Sequence, residues 1–386
     1  MYETMIRPII LYGSIVWAHK AHQSASSLRR VQRLALLCLG SFAKSTPTLG
    51  LEVIFNYMPL NIMAQEWAQN TVNRIKGRNK TRWDYIGNGR KRGHLYYYKP
   101  ERLDSIPMTY QWTGLPQCNV TDGKPFTPPN GDYILAYTDG SKIDDGPSGF
   151  GTVVQYNLGG IFRTITHSGS LGCHATPYQG EVVAIMLAAT EIIKSENKAQ
   201  TLIFSDSQAA LMALTKVSCN TLTVAACRKM LTQLGQLQNV GLNWVRAHVG
   251  HDLNEQADKL AKAGTTSQNI FEVPKSRKRS KYDTHIKYTE IWADIWARQK
   301  TCRQTRLMMP RPSKIVTDYI MSLDRTDCSL LVQFLTGHNY LKYHLYLTGV
   351  SSDKECRLCH DGTEDAWHLL TKCEPLFRLI EDSASP

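Results

Sequence analysis

The chain of 386 residues lacks any apolar run of the roughly 18–20 residues that a membrane-spanning helix requires, and it lacks internal repeats. We therefore expect neither a membrane segment nor a repeat architecture. Residues 8–18 are apolar and follow Arg7, as in a short signal peptide, but no convincing small-residue cleavage site accompanies them. We interpret this stretch as a buried helix and expect an intracellular chain, nuclear or cytoplasmic, that is not secreted. Its ten cysteines are then expected to be reduced.

Acidic residues are scarce in the first third of the chain. Residues 1–130 contain 7 Asp and Glu against 17 Lys and Arg, whereas residues 131–266 contain 11 against 10 and residues 267–386 contain 15 against 18. The formal net charge is +12. Because Lys and Arg gain affinity for polyanions by releasing phosphate counterions, the basic flanks indicate nucleic acid as a partner. The alternative is that the basic excess only aids solubility.

Composition and apolar spacing divide the chain into five segments. Helical spacing of apolar residues marks both ends, while Gly, Pro and basic residues dominate two connecting segments. The predicted segments are a helical region at 1–77, a basic and proline-rich linker at 78–130, an α/β domain at 131–265, a basic linker at 266–284, and a helical region with a cysteine cluster at 285–386.

Each predicted linker contains a strongly basic stretch. Residues 78–99 hold seven basic residues, one acid and interleaved aromatic residues, a composition suited to phosphate contacts and base stacking, although a solvated tail explains it equally well. Residues 274–281 hold five basic residues out of eight. That run fits a nuclear address, a nucleic-acid patch or an ordinary charged linker.

The central segment predicts regular elements in the order βββ-α-β-α-α-β-α. Three strand patterns come first, and the Gly159-Gly160 pair between the second and third is a strong hairpin signal. Helical and strand patterns then alternate to the end of the segment. This order indicates an α/β fold, a mixed sheet covered by helices.

Four carboxylates of this segment occur where the predicted elements would bring them together. Asp139 and Asp206 each follow an apolar strand, and the ends of parallel strands meet at one edge of a sheet. Glu181 and Asp258 occupy inward-facing positions of two predicted helices, where an unpaired carboxylate is costly. Clustered carboxylates repel one another unless a cation holds them, and such oxygen ligands select Mg²⁺ or Mn²⁺. Four acids suit two ions, which can activate water and stabilise the leaving oxygen of a phosphodiester.

The motifs around these acids resemble those of the type 1 ribonuclease H family, over about residues 131–265 and in the family's order and spacing. They are Tyr-Thr-Asp-Gly-Ser at 137–141, Gly-Glu at 180–181, Phe-Ser-Asp-Ser at 204–207, and Trp-Val-Arg-Ala-His-Val-Gly-His-Asp-Leu-Asn-Glu-Gln-Ala-Asp at 244–258. The resemblance implies a ribonuclease H-like five-stranded mixed sheet flanked by helices. It also implies an endonuclease that hydrolyses the RNA strand of RNA/DNA hybrids with two Mg²⁺ ions, or with Mn²⁺.

The resemblance further assigns roles to individual residues. Four become the catalytic, Mg²⁺-binding carboxylates: Asp139, Glu181, Asp206 and Asp258. His251 matches a mobile catalytic histidine that assists proton transfer or product release, which suits a side chain whose ordinary pKa lies near neutrality. Gly140 and Ser141 match residues that lie close to the RNA backbone, and Asn254 is assigned to substrate binding with them. His248 matches the first histidine of the same loop, where packing is the favoured role.

One feature departs from the family's pattern. Several cellular members carry a basic helical protrusion after the second helix, which helps to grip the hybrid. Here Lys216 leads almost directly into the next predicted helix, whose only basic pair is Arg228 and Lys229. We therefore expect the central domain alone to bind substrate weakly and the basic flanks to contribute to binding.

The N-terminal region resembles the part that follows the polymerase core in reverse transcriptases of non-LTR retrotransposons. The resembling residues lie at 9–17, 28–32 and 59–60. The polymerase's own aromatic-x-Asp-Asp motif is absent, since the one Asp-Asp pair, at 144–145, follows Ile143 in a predicted hairpin turn. The chain looks like the C-terminal part of a longer element-encoded protein, and we expect no polymerase activity from it.

A cysteine–histidine motif lies near the C-terminus. Cys356, Cys359, His368 and Cys373 have the spacing C-x2-C-x8-H-x4-C, and three thiolates with one imidazole suit a closed, tetrahedral structural Zn²⁺ site. The motif resembles the C-terminal cysteine–histidine motif of the same retrotransposon proteins, and chance clustering is the alternative. The other cysteines of this region, at 302 and 328, lack this spacing and are expected to be buried thiols.

Three functional hypotheses follow from these features. The first is a hybrid-specific endonuclease of retrotransposon origin, which is favoured because the four acids and His251 are all present. The second is a catalytically silent, nucleic-acid-binding remnant of a retrotransposon protein. The third is a different nuclease or an integrase-type enzyme of the same fold, against which the histidine loop and the helix at 254–258 argue. The sequence indicates no particular protein partner.

Overall fold

The fold is given by a computed structural model that describes residues 2–40, 42–76, 98–99, 101–106, 117–119, 130–246 and 252–384. These residues form two compact units. The first contains the described residues within 2–69, Tyr98 and those within 283–384, and the second contains those within 70–76 and 99–282. Parts of both predicted linkers, including 101–106, 117–119 and 266–282, therefore belong to the second unit.

The described residues form sixteen α-helices and six strands, with a π-helical turn at Tyr2–Ile6 and a 3-10 turn at Ala18–Lys20. The helices are α1 Arg7–Leu11, α2 Ser14–Trp17, α3 Ala25–Leu37, α4 Thr48–Ile54, α5 Leu60–Lys76, α6 Pro177–Lys194, α7 Gln208–Thr215, α8 Leu222–Leu237, α9 Asp252–Thr265, α10 Arg277–Ala297, α11 Arg303–Met308, α12 Lys314–Ser322, α13 Arg325–Thr336, α14 Lys342–Leu347, α15 Ala366–Thr371 and α16 Glu374–Ala384. The strands are β1 Gln117–Asn119, β2 Tyr133–Lys142, β3 Ser148–Leu158, β4 Ile161–Gly172, β5 Gln200–Ser205 and β6 Val240–Trp244.

The second unit is built on one mixed sheet with the strand order β1-β6-β5-β2-β3-β4. Strands β2, β3 and β4 form an antiparallel meander, while β2 pairs with β5, β5 with β6, and β6 with β1 in parallel. The five predicted strands and their flanking helices are confirmed. The short strand β1, from the segment predicted as a linker, adds a sixth strand at the edge.

The central strand β2 packs against helices on both faces of the sheet. Ile134 and Ala136 lie in a core formed with α6, α7 and α8, whereas Tyr133, Leu135 and Tyr137 lie in a second core formed with α9. This alternation follows from the two-residue period of a strand, which points successive side chains to opposite faces. The ends of β2 are thereby fixed between two helical layers.

Turn and cap residues set the boundaries of the elements around the sheet. Gly159 and Gly160 both have positive φ, 57° and 78°, which a two-residue hairpin turn between β3 and β4 requires and glycine adopts without strain. Helix α6 begins with a capping box, in which the Thr176 hydroxyl accepts from the Gln179 N–H and the Gln179 side chain accepts from the Thr176 N–H. Pro177 occupies the first helical turn, where its missing N–H costs nothing.

The first unit joins the two ends of the chain in one helical core. Apolar side chains from α3, α4 and α5 pack with those of α10, α12 and α13. Its buried members include Leu36, Leu51, Ile54, Trp292 and Trp296. Cys328 is buried in this core as predicted, and Cys302 is half-buried at its edge.

The interpretation of residues 8–18 as a buried helix is wrong. The stretch forms two short helices, α1 and α2, because Gly13 adopts a left-handed conformation with φ of 65° and interrupts the helical hydrogen bonds. Ile9, Tyr12 and Val16 are exposed, and only Leu11, Ser14 and Ala18 are buried. No helix in the described part of the chain combines the length and the apolar character that a membrane crossing needs.

The basic pair of α8 is divided between the interior and the surface. Arg228 is 1% exposed, and its guanidinium donates to the carbonyl oxygens of Ala213 and Lys216 at the end of α7. Lys229, its neighbour, is exposed. Only Lys229 of this pair is therefore available to an external polyanion.

Candidate active site

The site lies at the end of the central parallel strands. The register of β2 and β5 pairs Thr138 with Ser205, so Asp139 and Asp206 follow side by side at the same edge of the sheet. The Trp244 indole N–H donates to the backbone oxygen of Asp206 at 3.0 Å and ties this edge to β6. The predicted meeting of the two strand-end aspartates is thus present in the structure.

Glu181 reaches this edge from the first turn of α6 because two glycines allow the helix to touch the sheet. A Cβ on Gly140 would lie 2.4 Å from the Glu181 backbone nitrogen, and one on Gly180 would lie 2.8 Å from the Gly149 oxygen. No side chain fits at either point. The close approach brings one carboxylate oxygen from each of Asp139, Glu181 and Asp206 within 4.8 Å of one another.

Burial and repulsion by neighbouring carboxylates make Asp139 and Glu181 hard to ionise. The pKa of Asp139 is raised to about 7 by burial and by the negative charges of Asp206 and Asp258. The positive charge of Lys262 and a hydrogen bond from the Gly140 N–H offset this rise only in part. Burial and the charges of Asp139 and Asp206 raise the pKa of Glu181 well above its ordinary value. The group therefore has a strong electrostatic demand for positive charge.

Asp258 lies close enough to act on this group but has a separate partner. Its negative charge helps to raise the pKa of Asp139. One carboxylate oxygen accepts a hydrogen bond from the Lys262 ammonium at 2.7 Å, one turn further along α9, and this bond raises the pKa of Lys262. The structure thus brings three of the four predicted acids together and places the fourth beside them.

The other predicted site residues are only partly located. Gly140 and Ser141 are half-buried at the end of β2, beside Asp139. Asn254 is buried in the first turn of α9, and its side-chain oxygen has no hydrogen-bond partner among the described residues. His248 and His251 lie outside the described residues.

Two further residues contribute to the site without having been predicted. Ser205 is buried, and its hydroxyl donates to a Glu181 carboxylate oxygen at 3.4 Å. Lys262 holds Asp258 as described above. Lys262 could have been found from its i,i+4 spacing to Asp258 on one helix. Ser205 was recognisable only as part of the Phe-Ser-Asp motif, which gives no sign of its contact with a helix.

The donor set at this edge fits divalent cations. Three carboxylates within 4.8 Å of one another offer the hard oxygen ligands that Mg²⁺ and Mn²⁺ prefer. The pKa values of Asp139 and Glu181 are raised by burial and by neighbouring negative charges, which a bound cation would offset. Asp139, Glu181 and Asp206 are therefore the residues that could hold such a cation.

The titration of Asp139 predicts how stability depends on pH. The folded protein, with a pKa of about 7 against an ordinary 3.8, binds more protons than the unfolded chain between these pH values. Without Mg²⁺ or Mn²⁺, the free energy of unfolding should therefore fall as the pH rises through this window, by roughly 2 kcal/mol or more. Denaturant titrations at several pH values measure this slope. It should be shallower in Asp139→Asn, and equal slopes in the two proteins would contradict the assignment.

A second cluster lies in the first unit, at the C-terminal cysteine–histidine motif. Ligand atoms of Cys356, Cys359, His368 and Cys373 all lie within 4.8 Å of one another. The Cys356 and Cys373 sulfurs are 3.9 Å apart, and the Cys359 sulfur lies 3.2 Å from His368 Nε2. Although burial opposes it, hydrogen bonds that include the Cys359 and Leu358 backbone N–H groups lower the pKa of Cys356 to about 7.

This second cluster fits a tetrahedral zinc ion. With zinc–sulfur bonds of about 2.3 Å, two thiolates of a tetrahedron lie about 3.8 Å apart, close to the Cys356–Cys373 separation. The surrounding loop is held by Glu364, 2% exposed, which accepts from the Arg357 backbone N–H at 2.8 Å and from its side chain. Asp365 accepts from the His368 N–H at 2.7 Å and starts α15. The loop is thereby built around its four donors.

Comparison with known proteins identifies the central segment. Residues 131–266 match the family model for RNase H. The ribonuclease H of Desulforamulus reducens is 26% identical over 156 residues, which cover 36% of this chain and 90% of that protein. The ribonuclease H of Roseobacter denitrificans is 28% identical over 147 residues, 34% of this chain and 94% of that protein. The structure of RNase H1 from Halobacterium salinarum is 23% identical, covers 34% of this chain and 96% of that chain, and has a TM-score of 0.27.

The match and the fold agree on the extent of the domain. Residues 131–266 contain the meander, both parallel crossovers and α9, and they carry all four acids. The match to RNase H therefore covers the part of the chain built on the mixed sheet, which forms most of the second unit. The first unit and the residues that precede and follow the domain lie outside the match.

Proposed function

We propose that this protein is a ribonuclease H, an endonuclease that hydrolyses the RNA strand of RNA/DNA hybrids with two divalent metal ions. The observation that supports it most is the group of Asp139, Glu181 and Asp206 at the sheet edge of an RNase H domain. Proteins named ribonuclease H are its relatives over this segment. A silent remnant is less favoured, because the group of acids is assembled and only cations are needed to complete it.

The chain's own carboxylates create the site for the cations, Mg²⁺ or Mn²⁺. Asp139, Glu181 and Asp206 lie together at one edge of the sheet, and the burial of Asp139 and Glu181 excludes water that would screen their charge. Asp258 joins them as a ligand only after it exchanges Lys262 for a cation. When bound, the cations activate the attacking water and neutralise the charge that develops on the phosphate. Ser205 orients Glu181 by donating to its carboxylate.

The substrate side of the site rests on small residues and one histidine. Gly140 and Ser141 are half-buried beside Asp139 and are proposed to contact the RNA backbone, whose 2′-hydroxyl is the feature that distinguishes RNA from DNA. Asn254, with its unpaired buried oxygen, is proposed to bind substrate with them. His251 is proposed to assist proton transfer or product release.

We propose that the basic flanks provide nucleic-acid contacts that the central domain itself lacks. Arg228 is buried, so α8 offers a single exposed cation of its basic pair. Residues 1–130 carry an excess of ten basic charges over acidic ones. We propose that the basic flanks bind nucleic acid, and that the chain derives from a non-LTR retrotransposon protein and acts in the nucleus or cytoplasm.

The test is a cleavage assay on matched RNA/DNA, RNA/RNA and DNA/DNA duplexes of one sequence, with the full chain and Mg²⁺. The proposal expects cleavage of the hybrid, with the DNA duplex spared. Binding of the hybrid without cleavage would support the silent remnant instead. Cleavage of the DNA duplex would point to another nuclease of the same fold.

We also propose that Cys356, Cys359, His368 and Cys373 hold one structural Zn²⁺ ion. The full chain should then contain about one zinc per molecule, and Cys373→Ser should lose it, because one of the four ligands is gone. Elemental analysis of the purified protein measures both values. The matched control is Cys38→Ser, which changes an exposed cysteine of the same unit and should keep its zinc. Wild-type protein without zinc would contradict this assignment.

A further inference from the structure

The helix that carries Glu181 is held from outside the RNase H domain. The first turn of α6 contains Gln179, which is 1% exposed and lies two residues before Glu181. Its side-chain amide donates to an Asp104 carboxylate oxygen at 2.9 Å and to the Pro274 carbonyl oxygen at 2.8 Å. In the sequence, Asp104 precedes and Pro274 follows the segment 131–266 that matches the RNase H family model.

Asp104 is a fully engaged buried carboxylate. It is 7% exposed and accepts three hydrogen bonds, one from Gln179 and two from the backbone N–H and hydroxyl of Thr223, each at 2.9 Å. Thr221, the residue before α8, makes no capping bond of its own. Asp104 therefore supplies the negative charge and the acceptor that the N-terminus of α8 otherwise lacks.

The two segments that contain Asp104 and Pro274 are also hydrogen-bonded to each other. The Asp104 N–H donates to the Lys275 carbonyl oxygen at 2.9 Å, and Leu103 pairs with Lys275 as an isolated parallel bridge. The Lys275 ammonium and the Ser280 hydroxyl both reach the Glu101 carboxylate, at 3.0 and 2.6 Å. Residues 101–104 and 274–280 therefore form one hydrogen-bonded unit across the starts of α6 and α8, and we call this unit the clamp.

We propose that Asp104 is a positioning residue for the metal site. Through Gln179 it fixes the first turn of α6, and so it sets the place of Glu181 relative to Asp139. The contact with Gly140 blocks movement of the first turn of α6 toward β2 but not away from it. Release of Gln179 is therefore expected to let Glu181 move away from Asp139. This inference rests on the proposed function only for its effect on cleavage.

The substitution that tests the clamp is Asp104→Asn. An Asn side chain keeps the shape but turns one acceptor into an N–H donor, which would face the donor of Gln179 or of Thr223. Gln179→Met is the second variant, because it removes the donor to Asp104 and leaves Asp104 on α8. It also removes the contact with Pro274 and the capping-box acceptor for the Thr176 N–H. Asp132→Asn is the matched control, since Asp132 accepts only the exposed Gly159 N–H at 2.7 Å.

The measurement is Mn²⁺ binding to the zinc-loaded full chain by titration calorimetry, without nucleic acid. We expect Asp104→Asn and Gln179→Met each to weaken Mn²⁺ binding about tenfold, as for other groups that orient metal ligands, with Asp132→Asn unchanged. The double variant should bind Mn²⁺ no more weakly than the worse single variant, because both changes break the same hydrogen bond between Gln179 and Asp104. In cleavage assays the Mg²⁺ concentration for half-maximal rate should rise while the KM for hybrid stays constant.

The two proposals fail in different ways. If the wild type does not cleave a hybrid but the two variants still bind Mn²⁺ more weakly, the clamp stands and the ribonuclease assignment fails. If Asp104→Asn and Gln179→Met bind Mn²⁺ as the wild type does, or if no protein of the set binds Mn²⁺, the clamp is overturned. Additive effects in the double variant would also overturn it.

Discussion

Asp139→Asn should reduce the cleavage of an RNA/DNA hybrid by about 1000-fold or more, because it removes the central ligand of the proposed cations and their charge stabilisation of the reacting phosphate. Asp139 lies in β2 just beyond its last pair with β5, and its carboxylate interacts electrostatically with those of Asp206, Asp258 and Glu181. No other described side chain can take its place at this edge. Single-turnover cleavage with saturating Mg²⁺ measures the loss.

The Asp139→Asn result is informative only if the protein remains folded. The isosteric amide keeps the shape of the side chain and removes a buried acid whose pKa is about 7, so the fold should persist. Asp132→Asn, the same change at an exposed turn in the same unit, should cleave as fast as the wild type. Equal cleavage rates for Asp139→Asn and the wild type would contradict a catalytic role for the acidic group.

Gly140→Ala should destabilise the second unit by about 3 kcal/mol and reduce cleavage together with stability. The added methyl group would lie 2.4 Å from the Glu181 nitrogen, 2.7 Å from the Gly180 carbonyl carbon and 2.8 Å from the Pro177 oxygen. All three are backbone atoms of the first turn of α6, and none can rotate away as a side chain can. The helix must therefore move from the sheet and take Glu181 with it. Denaturant unfolding and Mn²⁺ titration measure the two consequences.

Gly235→Ala provides the contrasting glycine substitution. Gly235 is exposed within α8, and a Cβ there would meet no atom within 4 Å. Alanine at a helical position loses less conformational entropy than glycine on folding, so stability should rise by about 0.5–1 kcal/mol, with cleavage unchanged. If Gly140→Ala proved as harmless as Gly235→Ala, the contact between α6 and β2 would not be as tight as described.

Local patterns in the sequence were sufficient to predict the central sheet and the acids at its edge. The strand patterns and the Gly159-Gly160 pair each act over a few residues, and the structure contains each of them. The acidic group was predictable because parallel strands end at the same edge of a sheet. The cysteine–histidine cluster was predictable from spacing alone, since a short loop determines which donors can meet.

Features that depend on distant parts of the chain could not be predicted in this way. Asp104 lies 75 residues from Gln179 and 119 from Thr223, so nothing local marks it as the cap of α8. Arg228 is buried because it donates to carbonyl oxygens at the end of α7, and the sequence of its own helix, α8, does not indicate where α7 ends. The prediction of a buried helix at residues 8–18 was wrong because composition does not show that Gly13 adopts a left-handed conformation.

The proposed activity is metal-dependent hydrolysis of RNA within a hybrid. The most direct test is one hybrid carrying a different label on each strand, incubated with the full chain with and without Mg²⁺. We predict that the RNA strand is cut at internal positions only when Mg²⁺ is present, and that the DNA strand stays intact. An uncut RNA strand at saturating Mg²⁺, or equal cutting of the two strands, would contradict the claim.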